Sequence, residues 1–374
     1  MVSKGEFDRR YAAIREAMRD DGYEAFVVAG NAEAMQRCYI RYLTDWRLWL
    51  GGGFAVFQLE GDPLLVLGSG SLAFWAEQQG WTHDKAFASD KIGEVISTLK
   101  TGGLSNSTIG IVGLNQIMPY EDIQRLTSEL PNARLKDATR LMDEVIAIKS
   151  QEEIAECAET YEYVARALHR VKEVLAPGKT EREVIAEAVH VLAKAGCLDG
   201  IAHISNGPKP YIRPPTSRVI QADDIIKVQL EYAGPSGYWM ELSSIFSFRE
   251  PPERELRHYT TTIKALNRAA ALLRPGITGG EVSQAIAETY DEDGWKTIGR
   301  PGGFHGIGLN LVEPPFGKPG AKETLEENMV LMVSASSLVH EHEWGVFAPD
   351  NFVVTPNGGR QVGDHKHEWH VLPA

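Results

Sequence analysis

Two stretches ninety-eight residues apart constrain this chain more than any other feature. Ala167-Leu168-His169-Arg170 leads into Leu175-Ala176-Pro177-Gly178-Lys179-Thr180-Glu181-Arg182-Glu183-Val184. Ala265-Leu266-Asn267-Arg268 leads into Leu273-Arg274-Pro275-Gly276-Ile277-Thr278-Gly279-Gly280-Glu281-Val282. Each copy reads as a helix, a Pro-Gly break, and a Thr-x-x-Glu capping box that opens a second helix. Matching breaks and caps at one constant offset predict two similar α/β halves. A pocket between such halves is the default place for a site.

The segments around the repeat fill in both halves. Residues 149–175 predict a long helix, with Ser150 and Glu153 at capping-box spacing. Residues 224–232 and 238–246 predict a strand pair turned by Gly234-Pro235-Ser236-Gly237. Period-two alternation then puts Gln229 and Glu231 on one face, as it does Glu241 and Ser243. In the second half, 328–334 and 346–355 predict strands on either side of a polar loop, His340-Glu341-His342-Glu343-Trp344. Before them lies Phe304-His305-Gly306-Ile307-Gly308, followed by Glu313 in front of two prolines. Such glycines let backbone approach a pocket closely, and His305 is the residue there with proton or metal chemistry.

The first part of the chain alternates differently. Residues 7–18 predict a helix stopped at Asp20-Asp21-Gly22, and 25–29 a buried strand. Residues 54–59 and 63–67 predict a hairpin across Glu60-Gly61-Asp62, followed by a helix over 71–79, a strand over 108–112 and a helix over 120–129. This is a small α/β domain over residues 1–142, leaving 143–374 for the repeated domain. The connection Arg41-Tyr42-Leu43-Thr44-Asp45-Trp46-Arg47-Leu48-Trp49 is rich in aromatics and arginine. It reads either as a cap on the small domain's core or as a rim offered to a neighbouring pocket.

Net charge is -13, which argues against nucleic acid or an anionic membrane as partner. Three scattered cysteines, Cys38, Cys157 and Cys197, form no disulfide framework. With no apolar signal region at the N-terminus and no membrane-length apolar run, a cytoplasmic protein is expected.

In this order, these elements resemble the pita-bread fold shared by creatinase, prolidase, aminopeptidase P and methionine aminopeptidase. The carriers are Ile146-Ala147-Ile148-Lys149-Ser150-Gln151-Glu152-Glu153-Ile154, the 224–246 hairpin, His305-Gly306-Ile307-Gly308 and Asn328-Met329-Val330. The resemblance implies a small N-terminal α/β domain followed by a pseudo-twofold domain. Metallopeptidases of this family hold two metal ions with two aspartates, a histidine and two glutamates. Carried over, those positions fall on Gln229, Glu241, His305, Ser334 and Pro349. Four carboxylates have become one, so a two-metal centre is not expected. The family's two further histidines fall on Val312 and Ile212, and a small family glycine has become Glu231.

The resemblance therefore implies a metal-independent, creatinase-like hydrolase or lyase without a cofactor. Its Glu231, Glu241 and His305 would do acid–base chemistry on a small anionic or aromatic molecule. Arg213, Gln229, Tyr238, Trp239, Ser334 and His342 would bind that substrate. The creatinase branch also implies a homodimer, in which Trp46, Arg47 and Trp49 of one subunit close the other's pocket. Two alternatives stay open. Glu231, Glu241 and His305 could form a single-metal site, with ligands added from the 340–343 loop or from Asp364-His365-Lys366-His367-Glu368. Otherwise those two stretches are solvated polar turns. The domain could also be a non-catalytic binding protein.

Overall fold

The computed structural model describes residues 2–78, 84–207, 213–298, 302–339 and 344–373. The chain forms two compact units, Met1–Ile146 and Ala147–Ala374.

The first unit runs α1 (Lys4–Asp20), β1 (Ala25–Asn31), α2 (Cys38–Thr44), β2 (Gly52–Gln58), β3 (Leu64–Leu67), α3 (Gly70–Gln78) and β4 (Lys85–Phe87). It continues through α4 (Lys91–Thr101), β5 (Thr108–Val112), α5 (Tyr120–Glu129), β6 (Arg134–Asp137) and α6 (Thr139–Ala147). Its six-stranded sheet has the order β4-β3-β2-β1-β5-β6. The expected hairpin is the antiparallel β2–β3 pair, while β1–β5 and β5–β6 are parallel. Central β1 is flanked on both edges, which is why six of its seven residues are buried. Helix α4 was not anticipated, although its signals are ordinary. Asp90 caps it by accepting from the Gly93 N–H, and Ile92, Val95, Ile96 and Leu99 form its buried stripe.

The expected connection at 41–49 is partly helical, because α2 occupies its start and ends on Asp45 at φ 53°. Trp46 is 2% exposed. This corrects its assignment to a rim, since a side chain so enclosed has no face to offer a substrate. Arg47 is half-buried, whereas Trp49 is 45% exposed.

The second unit opens with α7 (Gln151–Val174), α8 (Glu181–Lys194), β7 (Asp199–Gly207), β8 (Ile225–Ala233) and β9 (Trp239–Ser247). Next come α9 (Glu253–Leu272), α10 (Gly279–Glu292), β10 (Thr297–Ile298), β11 (Gly302–Gly306) and β12 (Glu313–Gly317). The last strands are β13 (Val330–Val339), β14 (Trp344–Thr355), β15 (Gly358–Gln361) and β16 (Trp369–Val371). One sheet has the order β16-β9-β8-β7, the other β12-β11-β13-β14-β15 with β10 on β13.

The sequence repeat is a structural repeat down to single hydrogen bonds. Thr180 and Thr278 each accept from the backbone N–H three residues on, and Glu183 and Glu281 complete both capping boxes. Both break glycines have left-handed backbones, Gly178 at φ 90° and Gly276 at φ 87°. Gly178 donates to the Ile220 carbonyl and Gly276 to that of Leu325; both threonines sit in isolated β-bridges, to Val219 and Thr324. Ser150 and Glu153 form a third box at the start of α7. The core of the second half gathers Leu266, Ala269 and Leu273 of α9, Val282, Ile286 and Tyr290 of α10, and Leu331 and Val333 of β13.

Replacing either repeat cap, Thr180→Ala or Thr278→Ala, removes the acceptor of one N-terminal amide and costs about 1 kcal/mol. Urea denaturation should show similar losses for the two variants, because the caps are equivalent.

Candidate active site

Three strands of the first half bring polar side chains to one face. In the antiparallel β8–β9 register Glu231 lies directly opposite Glu241, and Gln229 opposite Ser243. On the other edge of β8, His203 of β7 lies opposite Gln229. Directly paired residues share a face, so Glu231, Glu241, Gln229, Ser243 and His203 project together. Glu241, Gln229 and Glu231 are 3%, 4% and 8% exposed.

The side-chain amide of Gln229 joins the two acids. Its Nε2 donates to Oε1 of Glu241 at 2.8 Å and also to Oε1 of Glu231. Burial, and then the negative charge of Glu231 opposite, hold the Glu241 carboxyl well above the usual carboxylate range. Two carboxyls this close share a proton more readily than they both ionise. His203, which the sequence reading passed over, brings Nδ1 to 3.5 Å from Oε1 of Glu231. The available signal was its place on a strand antiparallel to β8, but the mixed burial of β7 gives no clean period.

The second half braces this face from β14. Asn351, fully buried, accepts from the Glu241 N–H at 3.4 Å and donates to the Glu241 carbonyl at 2.8 Å. Its neighbour Asp350 accepts from Tyr161 at 3.0 Å, from Gln361 at 2.7 Å, and from Nε2 of His367 at 2.9 Å. His365 Nε2 donates to the Ser243 carbonyl at 3.0 Å, and burial foremost lowers its pKa. The His365–His367 stretch is thus a docked strap, which corrects its reading as a solvated turn.

The register of β11, β13 and β14 places His305, Ser334, Pro349 and Asn351 on one face, and Asn351 shows that this face turns toward β9. Nδ1 of His305 lies 2.9 Å from the carbonyl of neighbouring Gly306, to which it donates. The glycines after His305 serve a different approach from the one expected. A Cβ on Gly306 would sit 2.3 Å from the Pro314 carbonyl, and one on Gly308 2.9 Å from the Glu313 carboxylate. They make room for the buried Lys149–Glu313 ion pair at 2.7 Å, not for a ligand.

Arg213 and Tyr238 are likewise not where a substrate grip needs them. Arg213 forms a two-point pair with the fully buried Glu181, 2.8 Å through Nη1, and Glu181 also accepts from Thr216 and Asn206. An arginine held that way locks its own loop. Tyr238 alternates with Met240 and Leu242 on the face opposite Glu241, and donates to Glu153 of α7 at 2.8 Å. Trp239 has the acid-face parity but is buried, its N–H donating to the Gly308 carbonyl. His342 lies outside the described residues. Lys227, two residues before Gln229, shares the acid face; burial lowers its pKa to about 7, and Nζ donates to the Gly345 carbonyl.

The donor set does not fit the family's metal pair. Gln229 offers an amide that is already donating to both carboxylates, Ser334 a hydroxyl, and Pro349 no side-chain ligand at all. Among the described residues no three His, Cys, Asp or Glu groups are arranged to hold an ion. Two hard cations need several anionic oxygens to offset their repulsion.

Fold and acid face together define a two-unit pita-bread protein. The chain belongs to metallopeptidase family M24, whose model matches residues 155–356, and the creatinase/prolidase N-terminal domain model matches residues 10–145. A probable dipeptidase PepE of Mycobacterium tuberculosis is 26% identical over 63% of this chain, and the chain spans 64% of its length. The ectoine hydrolase of Halomonas elongata is 22% identical, covering 99% of this chain and 98% of its own. The X-Pro aminopeptidase structure from Thermotoga maritima superimposes with a TM-score of 0.85 at 18% identity, covering 97% of this chain and 99% of that one. Among the described residues no helix is long and apolar enough to cross a membrane.

Arg213→Ala should leave Glu181 buried with fewer donors and cost about 2 kcal/mol, discounted from a fully buried pair because the arginine is partly exposed. Thermal unfolding should register this loss while ligand affinity stays unchanged, the reverse of what a substrate grip would show.

Proposed function

We propose that this chain is a metal-independent hydrolase that cleaves a C–N bond of a small molecule with one proton shared between Glu231 and Glu241. The observation that carries this reading is the Gln229 amide, which bridges both carboxylates where a cation would otherwise have to lie. The names of its relatives, dipeptidase and ectoine hydrolase, support hydrolysis over elimination. Ionised Glu231 takes a proton from water as the oxygen bonds to the scissile carbon. Protonated Glu241 delivers its proton to the departing nitrogen, the C–N bond breaks, and the proton on Glu231 returns to Glu241. His305, on the face turned toward β9, contributes its imidazole to the surroundings of the substrate. With Arg213 committed to Glu181, a face of two glutamates suits a substrate rich in N–H groups better than the anionic one expected from the sequence.

After dialysis against EDTA, the protein should still release amine from members of a panel of dipeptides, Xaa-Pro compounds and ectoine. Glu231→Gln and Glu241→Gln should each lower kcat on the order of a hundredfold or more. Activity should fall as pH rises through the raised Glu241 pKa, where the acid is lost. Stoichiometric metal whose removal abolishes turnover would defeat the proposal.

The reading includes a cytoplasmic homodimer. Three buried free cysteines support a reducing compartment, and Trp49 and Leu50, 45% and 56% exposed, offer an apolar contact for a second copy. Light scattering should give a dimer for the wild type and a monomer for Trp49→Glu; a wild-type monomer would refute it.

A further inference from the structure

Two polar atoms of the acid face are buried with no hydrogen-bond partner among the described residues, Oε1 of Gln229 and Nδ1 of His203. Their residues are direct cross-strand neighbours. Leaving a buried polar atom unpaired forfeits its hydration with nothing in return, so a partner from outside the chain is favoured. The roles of the two atoms are set by what surrounds them. Only the NH2 end of Gln229 can donate to Glu231 and Glu241, so Oε1 is an acceptor. The carboxylate 3.5 Å from Nδ1 of His203 favours the tautomer with hydrogen on that atom, yet is too distant for a direct charge-assisted bond. A donor and an acceptor thus stand side by side, next to a carboxylate. A cavity of about 10 Å³, room for one water, is lined by His203, Lys227, Gln229, Ser243, Tyr259 and Phe347.

We propose that His203 and Gln229 hold the hydrolytic water beside Glu231. The inference rests on the metal-independent reading above and supplies what a metal would otherwise do, which is to fix the nucleophile. Nδ1–H of His203 donates to the water oxygen, while the water's two hydrogens go to Oε1 of Gln229 and to the Glu231 carboxylate. The oxygen keeps one lone pair directed at the scissile carbon. As it attacks, its proton passes to Glu231, and the new C–O bond forms as the C–N bond breaks toward the proton of Glu241. His203 is a positioning residue here, acting through the water. Among the described residues the charged or titratable groups around it are Glu231 and Lys227 of β8, Glu241 of β9 and Tyr259 of α9.

The test is an atomic-resolution crystal structure of the wild type, together with kinetics on whichever panel compound is hydrolysed. One ordered water should lie within hydrogen-bond distance of both His203 Nδ1 and Gln229 Oε1, and it should be missing in His203→Phe. That variant should lose kcat on the order of a hundredfold at unchanged KM, as for the loss of one preorganised donor. His203→Asn, which restores a donor, should recover most of the rate. A single turnover in ¹⁸O-labelled water should place the first label in the product acid. No water at this place in the wild type, full kcat in a folded His203→Phe, or first label in Glu231 would each overturn the proposal. If His203→Phe does not fold, wild-type density and the label decide. Chelation reports separately on the metal-independent reading, so the two cannot fail indistinguishably.

Discussion

Glu231 and Glu241 face each other across two hydrogen-bonded strands, both buried, and among the described residues no three His, Cys, Asp or Glu groups are placed to hold a metal ion. Directly opposed side chains in a sheet lie about 5 Å apart, where two ionised carboxylates in a low-dielectric setting repel strongly. Two such groups share a proton more readily than they both ionise, and burial foremost raises the Glu241 pKa. The neighbouring chemistry follows. An amide can donate to both carboxyls at once without adding charge, which is what Gln229 does. A second aspartate at that position would add a third negative charge to the same face.

A shared proton is useful only if the two acids keep their spacing, and the second half of the domain does this work. Asn351 grips the Glu241 backbone from β14 through both its N–H and its carbonyl. Asp350 is fixed in turn by Tyr161 of α7, Gln361 of β15 and His367 of the C-terminal strap, so four segments converge behind one strand. Strap and strand are also joined directly, since β16 runs parallel to β9 with Trp369 opposite Ile245. The half that lost its carboxylate ligands at Ser334 and Pro349 thus supplies rigidity in place of ligands.

Much of this was legible in the sequence, because local hydrogen bonding and strand alternation are local properties. The capping boxes at Ser150, Thr180 and Thr278 and the shared faces of Gln229 with Glu231 and Glu241 with Ser243 all follow from short-range spacing. What failed was everything that depended on a partner distant in the chain. Arg213 looked available because Glu181 lies thirty-two residues away, and Trp46 looked like a rim because its burial arises only on folding. His203 was missed for the same reason. Its importance comes from the β7–β8 register, and β7 alternates too weakly to announce itself as a strand. Helix α4, with Asp90 as cap and a regular apolar stripe, was legible by the same local rules and was overlooked, as was α6.

The replacements at the family's ligand positions are better explained by one change in chemistry than by decay. Loss of ligands alone would predict residues with no relation to one another. Here Gln229 stands where an aspartate is expected, and a glycine position two residues on carries Glu231, whose carboxylate the Gln229 amide contacts. A glutamate at that position would be crowded beside two metal ions, and without them it fills the space and restores a proton-accepting group. The same exchange leaves Gln229 with one buried acceptor directed away from the carboxylates, next to the imidazole of His203. Each substitution makes sense given the others: the added acid needs the amide, the amide's orientation creates an acceptor, and acceptor and imidazole together can hold a water. In the proposed reading a proton sets the charge balance of such a site, while the strand register sets its geometry.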